Sequence, residues 1–121
     1  MKHILIVDDD SSVLDLVSRA LRSYRLSLAR DPDEALHVAG HVGSLDLLIT
    51  DYMMPSMTGE ELIGRLREQW PGLSVLILTG HAAFLDAENA PWWTNEAHLE
   101  KPFEIGRLRA AVTELIGPPS P

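Results

Sequence analysis

A chain of 121 residues with 10 Lys plus Arg against 18 Asp plus Glu, a net charge of −8, is one domain's worth of sequence, and its lack of cysteine excludes disulfides, thiolate zinc sites and thiol nucleophiles. No apolar run approaches the ~20 residues that span a bilayer, and Met1-Lys2-His3 leads into only four apolar residues before Asp8, so neither a membrane segment nor a signal peptide is expected and the chain reads as cytoplasmic. The acidic balance, with Lys2 and Lys101 the only lysines, argues against direct nucleic-acid binding, which needs clustered cations.

In chain order, Ile4-Leu5-Ile6-Val7 is a continuous apolar run that stops at Asp8-Asp9-Asp10, the pattern of a strand buried on both faces. Ser11 or Ser12 can cap the following helix, where Val13, Leu14, Val17, Ala20 and Leu21 recur at helical spacing up to Tyr24. Leu26 to Ala29 reads as a weaker second strand. Asp31-Pro32 opens a second helix carrying Ala35, Leu36, Val38, Ala39 and Val42, and Gly43 is expected to end it. Leu47 to Thr50 is a third strand that stops at Asp51, and a Pro-Ser-Met-Thr-Gly loop leads to a helix with Leu62, Ile63 and Leu66, ended by Trp70-Pro71-Gly72. Leu73 to Leu78 is the fourth strand, stopping at Thr79-Gly80. Ala97 to Glu100 is the fifth, before a helix bearing Ile105, Leu108, Val112, Leu115 and Ile116. Strands alternating with helices of this length require crossovers, hence a parallel sheet with helices on both faces. The Gly117-Pro118-Pro119-Ser120-Pro121 segment has the composition of a frayed end or of a tether.

Ligands in such sheets bind beyond the carboxyl ends of the strands, so the polar residues that stop the apolar runs converge there. These are Asp8, Asp9 and Asp51, with Thr79 and Lys101; Asp10 either faces water or helps cap the next helix. Neighbouring strands lie ~4.8 Å apart, and at about 5 Å and an effective dielectric near 20 each pair of like charges costs about 3 kcal/mol. One ammonium against three carboxylates leaves a negative pocket whose oxygen-only donors suit Mg²⁺. A carboxylate beside a metal, with a hydroxyl and an ammonium aimed at the same spot, can receive a phosphoryl group. Asp51 is then the nucleophile, Lys101 and Mg²⁺ neutralise the phosphoryl oxygens, and Thr79 donates a hydrogen bond.

In these residues the chain resembles the receiver (CheY-like) domain of two-component response regulators. The resemblance runs from Ile4 to about Ile116 and rests on Val7-Asp8-Asp9, on Asp51-Tyr52-Met53-Met54-Pro55-Ser56-Met57-Thr58-Gly59, on Leu78-Thr79-Gly80 and on Lys101-Pro102-Phe103. It implies a flavodoxin-like three-layer αβα fold with five helices around a five-stranded parallel sheet of order 2-1-3-4-5, over residues 1–116, with 117–121 as tail or linker. It implies that Asp51 is the phosphoacceptor and the phosphohistidine of a sensor histidine kinase or phosphotransfer protein the donor. Mg²⁺ would be held by Asp9 and Asp51 directly, by Asp8 largely through water, and by the backbone carbonyl of Met53. Thr79 and Lys101 would be the switch hydroxyl and the phosphate-pairing lysine, and the Lys101-Pro102 bond would be cis. Phosphorylation would change the face made by the fourth helix, fifth strand and fifth helix, which serves an output domain, a separate partner or a homodimer. No chemistry beyond Mg²⁺-dependent self-phosphorylation and autodephosphorylation is implied.

Two departures stand out. His98, three residues before the lysine, occupies a place where this family usually has Tyr or Phe, which points either to weaker coupling of Thr79 to the outer face or to coupling that follows pH. Ala90-Pro91-Trp92-Trp93-Thr94-Asn95 falls where the fourth helix should end, and Pro91 makes a short or distorted helix the expectation. Trp92 and Trp93 either pack locally or expose at least one ring as a partner surface. His81 stands two beyond Thr79, at the rim of the pocket or simply in solvent. Met53, Met54 and Met57 fit loop packing better than a recognition surface, and His3, His37 and His41 read as surface residues.

Two other functions compete with the switch. Asp8-Asp9-Asp10-Ser11-Ser12 superficially fits the start of a haloacid-dehalogenase-type phosphatase with Asp8 as nucleophile, although that reading gives Asp51 no role. A receiver-like binding module that acts without phosphate is the other. Which aspartate becomes acylated separates all three.

Overall fold

The computed structural model describes residues 2–51, 59–79 and 96–119. Five strands, β1 (His3–Val7), β2 (Arg25–Ala29), β3 (Leu47–Asp51), β4 (Ser74–Thr79) and β5 (Ala97–Glu100), form one sheet of order β2-β1-β3-β4-β5 in which every neighbouring pair is parallel. The crossovers are α1 (Ser11–Ala20), α2 (Pro32–Ala39) and α3 (Gly59–Gln69), and α4 (Ile105–Ile116) follows β5. The last is the helix expected as the fifth. The expected fourth helix, with Pro91, Trp92 and Trp93, lies outside the described residues.

The continuous apolar runs explain the three layers, because alternate residues of a strand point to opposite faces. On β1, Leu5 and Val7 join Ala35 and Ala39 of α2 and Leu62, Ile63 and Leu66 of α3 in one core. Ile4 and Ile6 face the other way, toward Leu14, Val17 and Ala20 of α1 and Leu108 and Val112 of α4. The sheet is thus covered on both faces, as the apolar runs require. Among the described residues no helix is long and apolar enough to cross a membrane.

Helix ends correct two expectations. Asp10, rather than Ser11 or Ser12, caps α1: its carboxylate accepts from the Ser12 N–H at 2.8 Å, and Ser11 is already the first helical residue. Helix α2 opens as expected, with Asp31 accepting from the Glu34 N–H and Pro32 in the first turn, but it ends at Ala39 with Gly40 as its C-cap, not at Gly43. The N–H groups of Gly40 and His41 reach back to the Leu36 and Val38 carbonyls, which closes the helix before Val42. After α4, Gly117 takes a φ of 84°, a backbone region that favours glycine, and its carbonyl accepts from the buried Tyr24 hydroxyl at 2.8 Å.

His3 is a third correction. It is buried, with a relative exposure of 2 %: it opens β1 beside Arg25 of β2, and its ring reaches Ser27, which pairs with Leu5 two residues further along the same sheet face.

Candidate functional site

The strand register builds the site. Val7 pairs with Thr50, so the residues that follow them, Asp8 and Asp51, leave adjacent strands side by side. On the other side Asp51 pairs with Leu78 and Thr79 with Glu100, which brings the end of β4 and Lys101, just beyond β5, to the same edge of the sheet. Carboxylate oxygens of Asp8, Asp9 and Asp51 lie within 4.8 Å of one another. The Lys101 ammonium donates to Asp8 Oδ2 at 3.0 Å and to Asp51 Oδ2 at 3.4 Å.

The three carboxylates differ in exposure, and the difference separates their chemistry. Asp8 is fully buried; its Oδ1 accepts from the Asp10 N–H at 2.9 Å while its Oδ2 holds Lys101. A buried carboxylate is tolerable only with such partners. Asp9 is exposed, and the Asp51 side chain keeps 18 % of its surface accessible. Burial by itself would lower the Lys101 pKa, but the Asp8 hydrogen bond and the charges of Asp51 and Asp8 outweigh it and hold the ammonium above the ordinary lysine value. The lysine is therefore a fixed positive charge across the working pH range. The Lys101-Pro102 peptide bond is cis.

One ammonium does not neutralise three carboxylates, and each unscreened like-charge pair at this spacing costs about 3 kcal/mol at an effective dielectric near 20. The donor set fits Mg²⁺: it offers oxygens only, two of the three carboxylates reach the surface, and the third already has both oxygens engaged.

The expected site residues divide as follows. Asp8, Asp9, Asp51 and Lys101 are brought together. Thr79 ends β4 at the same edge, but its side chain lies outside the described residues, as do Met53, His81, Trp92 and Trp93. His98 sits mid-strand on β5 opposite Ile77, away from the carboxylates in register, exposed, with its Nδ1–H donating to the Glu96 carbonyl at 3.3 Å. Two features go beyond the sequence reading. Asp10, expected either to face water or to help cap the next helix, caps α1 and also supplies the N–H that holds Asp8. The Arg67 guanidinium grips both carboxylate oxygens of Glu96, at 2.6 and 3.0 Å, and donates to the Leu73 carbonyl at 3.0 Å, which ties the end of α3 to the starts of β4 and β5. Asp10 had a local signal, a cap residue before a helix, whereas two residues 29 apart have none.

The response regulator receiver domain model matches residues 4–113. The transcriptional regulatory protein GlrR of Escherichia coli (strain K12) is 32 % identical over 121 residues, covering 98 % of this chain and 27 % of GlrR. The sensor kinase CckA of Brucella abortus (strain 2308) is 31 % identical over 116 residues, covering 93 % of this chain and 12 % of that kinase. The crystal structure of a response regulator receiver domain protein from Clostridium thermocellum superposes with a TM-score of 0.81 at 28 % identity, covering 96 % of this chain and 94 % of the other. The chain thus spans about a quarter or less of these two curated relatives.

Proposed function

The chain belongs to the response regulator receiver domain family, and on that premise we propose that it is a phosphorylation-dependent switch whose Asp51 accepts a phosphoryl group from the phosphohistidine of a sensor histidine kinase or phosphotransfer protein. The observation that carries the proposal is the arrangement of charge: three carboxylates within 4.8 Å, one of them deeply buried, and a lysine 3.4 Å from the one that remains partly accessible.

Asp51 rather than Asp8 is the nucleophile, because Asp8 is inaccessible and has both oxygens engaged. An Asp51 carboxylate oxygen attacks phosphorus, the phosphorus–nitrogen bond of the donor breaks, and the imidazole leaves with the electron pair. Lys101 is already within 3.4 Å of Asp51, so its ammonium meets the charge carried by the phosphoryl oxygens with little rearrangement. Thr79, at the end of β4, donates its hydroxyl to another of those oxygens. Asp9 and Asp51, with Asp8 largely through water and the backbone carbonyl of Met53, would hold Mg²⁺, which when bound would offset the negative charge of carboxylates and phosphoryl group together.

The bond made to Thr79 and Lys101 only in the phosphorylated state supplies the differential stabilisation that shifts the population. The altered surface is the one formed by the segment between β4 and β5, by β5 itself and by α4. His98 on β5 belongs to that surface, where a homodimer, an output domain or a separate partner binds; the roles expected of Trp92 and Trp93 as a partner surface and of His81 at the rim of the pocket fall on residues outside those described. Residues 1–116 form the switch and 117–121 a tail or linker. The switch works in the cytoplasm without touching nucleic acid itself, and its own chemistry is confined to self-phosphorylation and autodephosphorylation.

Incubation with acetyl phosphate and Mg²⁺, read by intact mass and peptide mapping, tests the proposal. One phosphoryl group is expected, on Asp51, absent without Mg²⁺ and absent in Asp51→Asn. Acylation of Asp8 instead would support a phosphatase, and no acylation a phosphate-independent binding module. In the same assay, phosphorylation-dependent partner binding that is equal in His98→Tyr and the parent would remove His98 from the switch.

A further inference from the structure

Two exposed histidines, His37 and His41, stand one turn apart at the C-terminal end of α2. The helix stops at Ala39, and the chain folds back tightly, with the Gly40 N–H on the Leu36 carbonyl and the His41 N–H on the Val38 carbonyl. This turn lays the His41 ring over the His37 ring, centroids 4.8 Å apart and planes tilted by 52°. His41 Nδ1 lies 2.8 Å from the His37 backbone carbonyl. A carbonyl only accepts, so Nδ1 carries the proton and Nε2 keeps its lone pair.

We propose that His37 and His41 form a two-imidazole binding site for a divalent transition-metal ion of the zinc class, a site separate from the acidic pocket. Metal–nitrogen bonds of ~2.0–2.1 Å at a tetrahedral angle put the centroids of two rings sharing one ion about 5 Å apart, close to the spacing present. Ligating histidines characteristically donate their other ring N–H to a carbonyl, which fixes tautomer and orientation; the His41 ring is already held in this way. The electrostatics agree. The negative end of the α2 dipole favours a cation, Asp33 stands one turn before His37, and the chain as a whole carries −8. Imidazole ligands select zinc-class ions over Mg²⁺, whereas the all-oxygen pocket of Asp8, Asp9 and Asp51 suits Mg²⁺, which in excess keeps that pocket occupied. Water or another ligand completes the coordination of the bound ion.

The competing account is that His41 merely caps α2 by its bond to the His37 carbonyl. The variant His37→Gln separates the two, because it removes one ring and keeps the backbone carbonyl that the cap needs. Zn²⁺ is titrated into the full chain with Mg²⁺ in excess, and binding is followed by calorimetry and by the ring-nitrogen NMR shifts of the five histidines. One Zn²⁺ per chain is expected, moving the His37 and His41 rings and leaving His3 and His98 unmoved. His37→Gln should lower the Zn²⁺ affinity at least tenfold with no change in the metal-free melting temperature. Equal Zn²⁺ affinity in His37→Gln and the parent, or Zn²⁺ shifts confined to other histidines, would overturn the proposal. So would Zn²⁺ that bridges two chains rather than closing on one.

Discussion

The two ends of the sheet treat buried polarity in opposite ways. At the amino end of the strands the His3 ring is buried, and its Nδ1–H donates to the Ser44 carbonyl at 3.0 Å while its Nε2 accepts from the Ser27 hydroxyl at 2.7 Å. The His3 backbone N–H donates to the Asp46 carboxylate and its carbonyl accepts from the Asp46 N–H, both at 2.9 Å. Each polar atom of His3 has a partner within the chain, and the cluster ties β1 to β2 and to the entry of β3. At the carboxyl end Asp8, Asp9 and Asp51 crowd within 4.8 Å with one lysine between two of them. A polar cluster that closes on itself orders the fold, whereas one that leaves a surplus of one sign is stabilised further only by something from outside.

The sharpest way to break that contrast is to remove Lys101, the cation that, among the described residues, holds the carboxyl end together. Lys101→Met leaves Asp8 fully buried without its charge partner, and breaking such a pair costs about 3 kcal/mol, at the lower end of the usual range because the lysine itself is a quarter exposed. Urea unfolding in Mg²⁺-free buffer should show the loss, and added Mg²⁺ should recover part of it through mass action on the folded state. A variant as stable as the parent without Mg²⁺ would mean that Lys101 does not hold the cluster.

The carboxyl end was legible from the sequence and the amino end was not, for a physical reason. In a parallel sheet buried on both faces the strands are unbroken apolar runs, and the first polar residue after each run marks the same edge. Asp8 and Asp51 could therefore be placed together before any register was known, and Lys101 joined them as the residue that follows the fifth strand, although that strand, Ala97 to Glu100, is not an unbroken apolar run. His3 carried no such mark. It precedes the apolar run, and its partners Ser27, Ser44 and Asp46 are 24, 41 and 43 residues away, joined only once β2 and the approach to β3 have been laid beside β1. A histidine at a strand's start, with a serine two residues further along the same face of the neighbouring strand, was the available signal, and it is weak. The same limit hid the Arg67–Glu96 grip. Helix boundaries erred by short distances because capping is decided by which side chain reaches an N–H: Asp10 has that reach, and Ser11 is inside the helix.

A smaller effect, of opposite sign, tests the surplus itself. Among the described residues, Asp51→Asn removes the repulsions with Asp8 and Asp9 and the attraction to Lys101 at 3.4 Å. The balance favours the variant by about 1 kcal/mol in low-salt, Mg²⁺-free buffer, after screening at this partly exposed position. The gain should shrink as salt or Mg²⁺ is added, and a destabilised Asp51→Asn would show that the cluster carries no net repulsion.

The smallest effect belongs to the amino end and appears only with pH. Burial lowers the His3 pKa; the Ser44 carbonyl bond and Asp46 raise it, Arg25 lowers it again, and the net result lies below the ordinary 6.5. The folded ring therefore refuses a proton that the unfolded chain accepts. Above 6.5 both states hold His3 neutral and its contribution to stability is whole; as pH falls through 6.5 toward the lowered folded-state value, the unfolded state gains the proton first and stability declines. His3→Gln has no ring to protonate. Between about pH 7.5 and about pH 5.5 the parent's urea midpoint should fall more steeply than the variant's, the carboxylates and other histidines contributing equally to both. Parallel slopes would show that His3 takes up its proton in the folded state as readily as in the unfolded one, and that the amino end is not closed to charge.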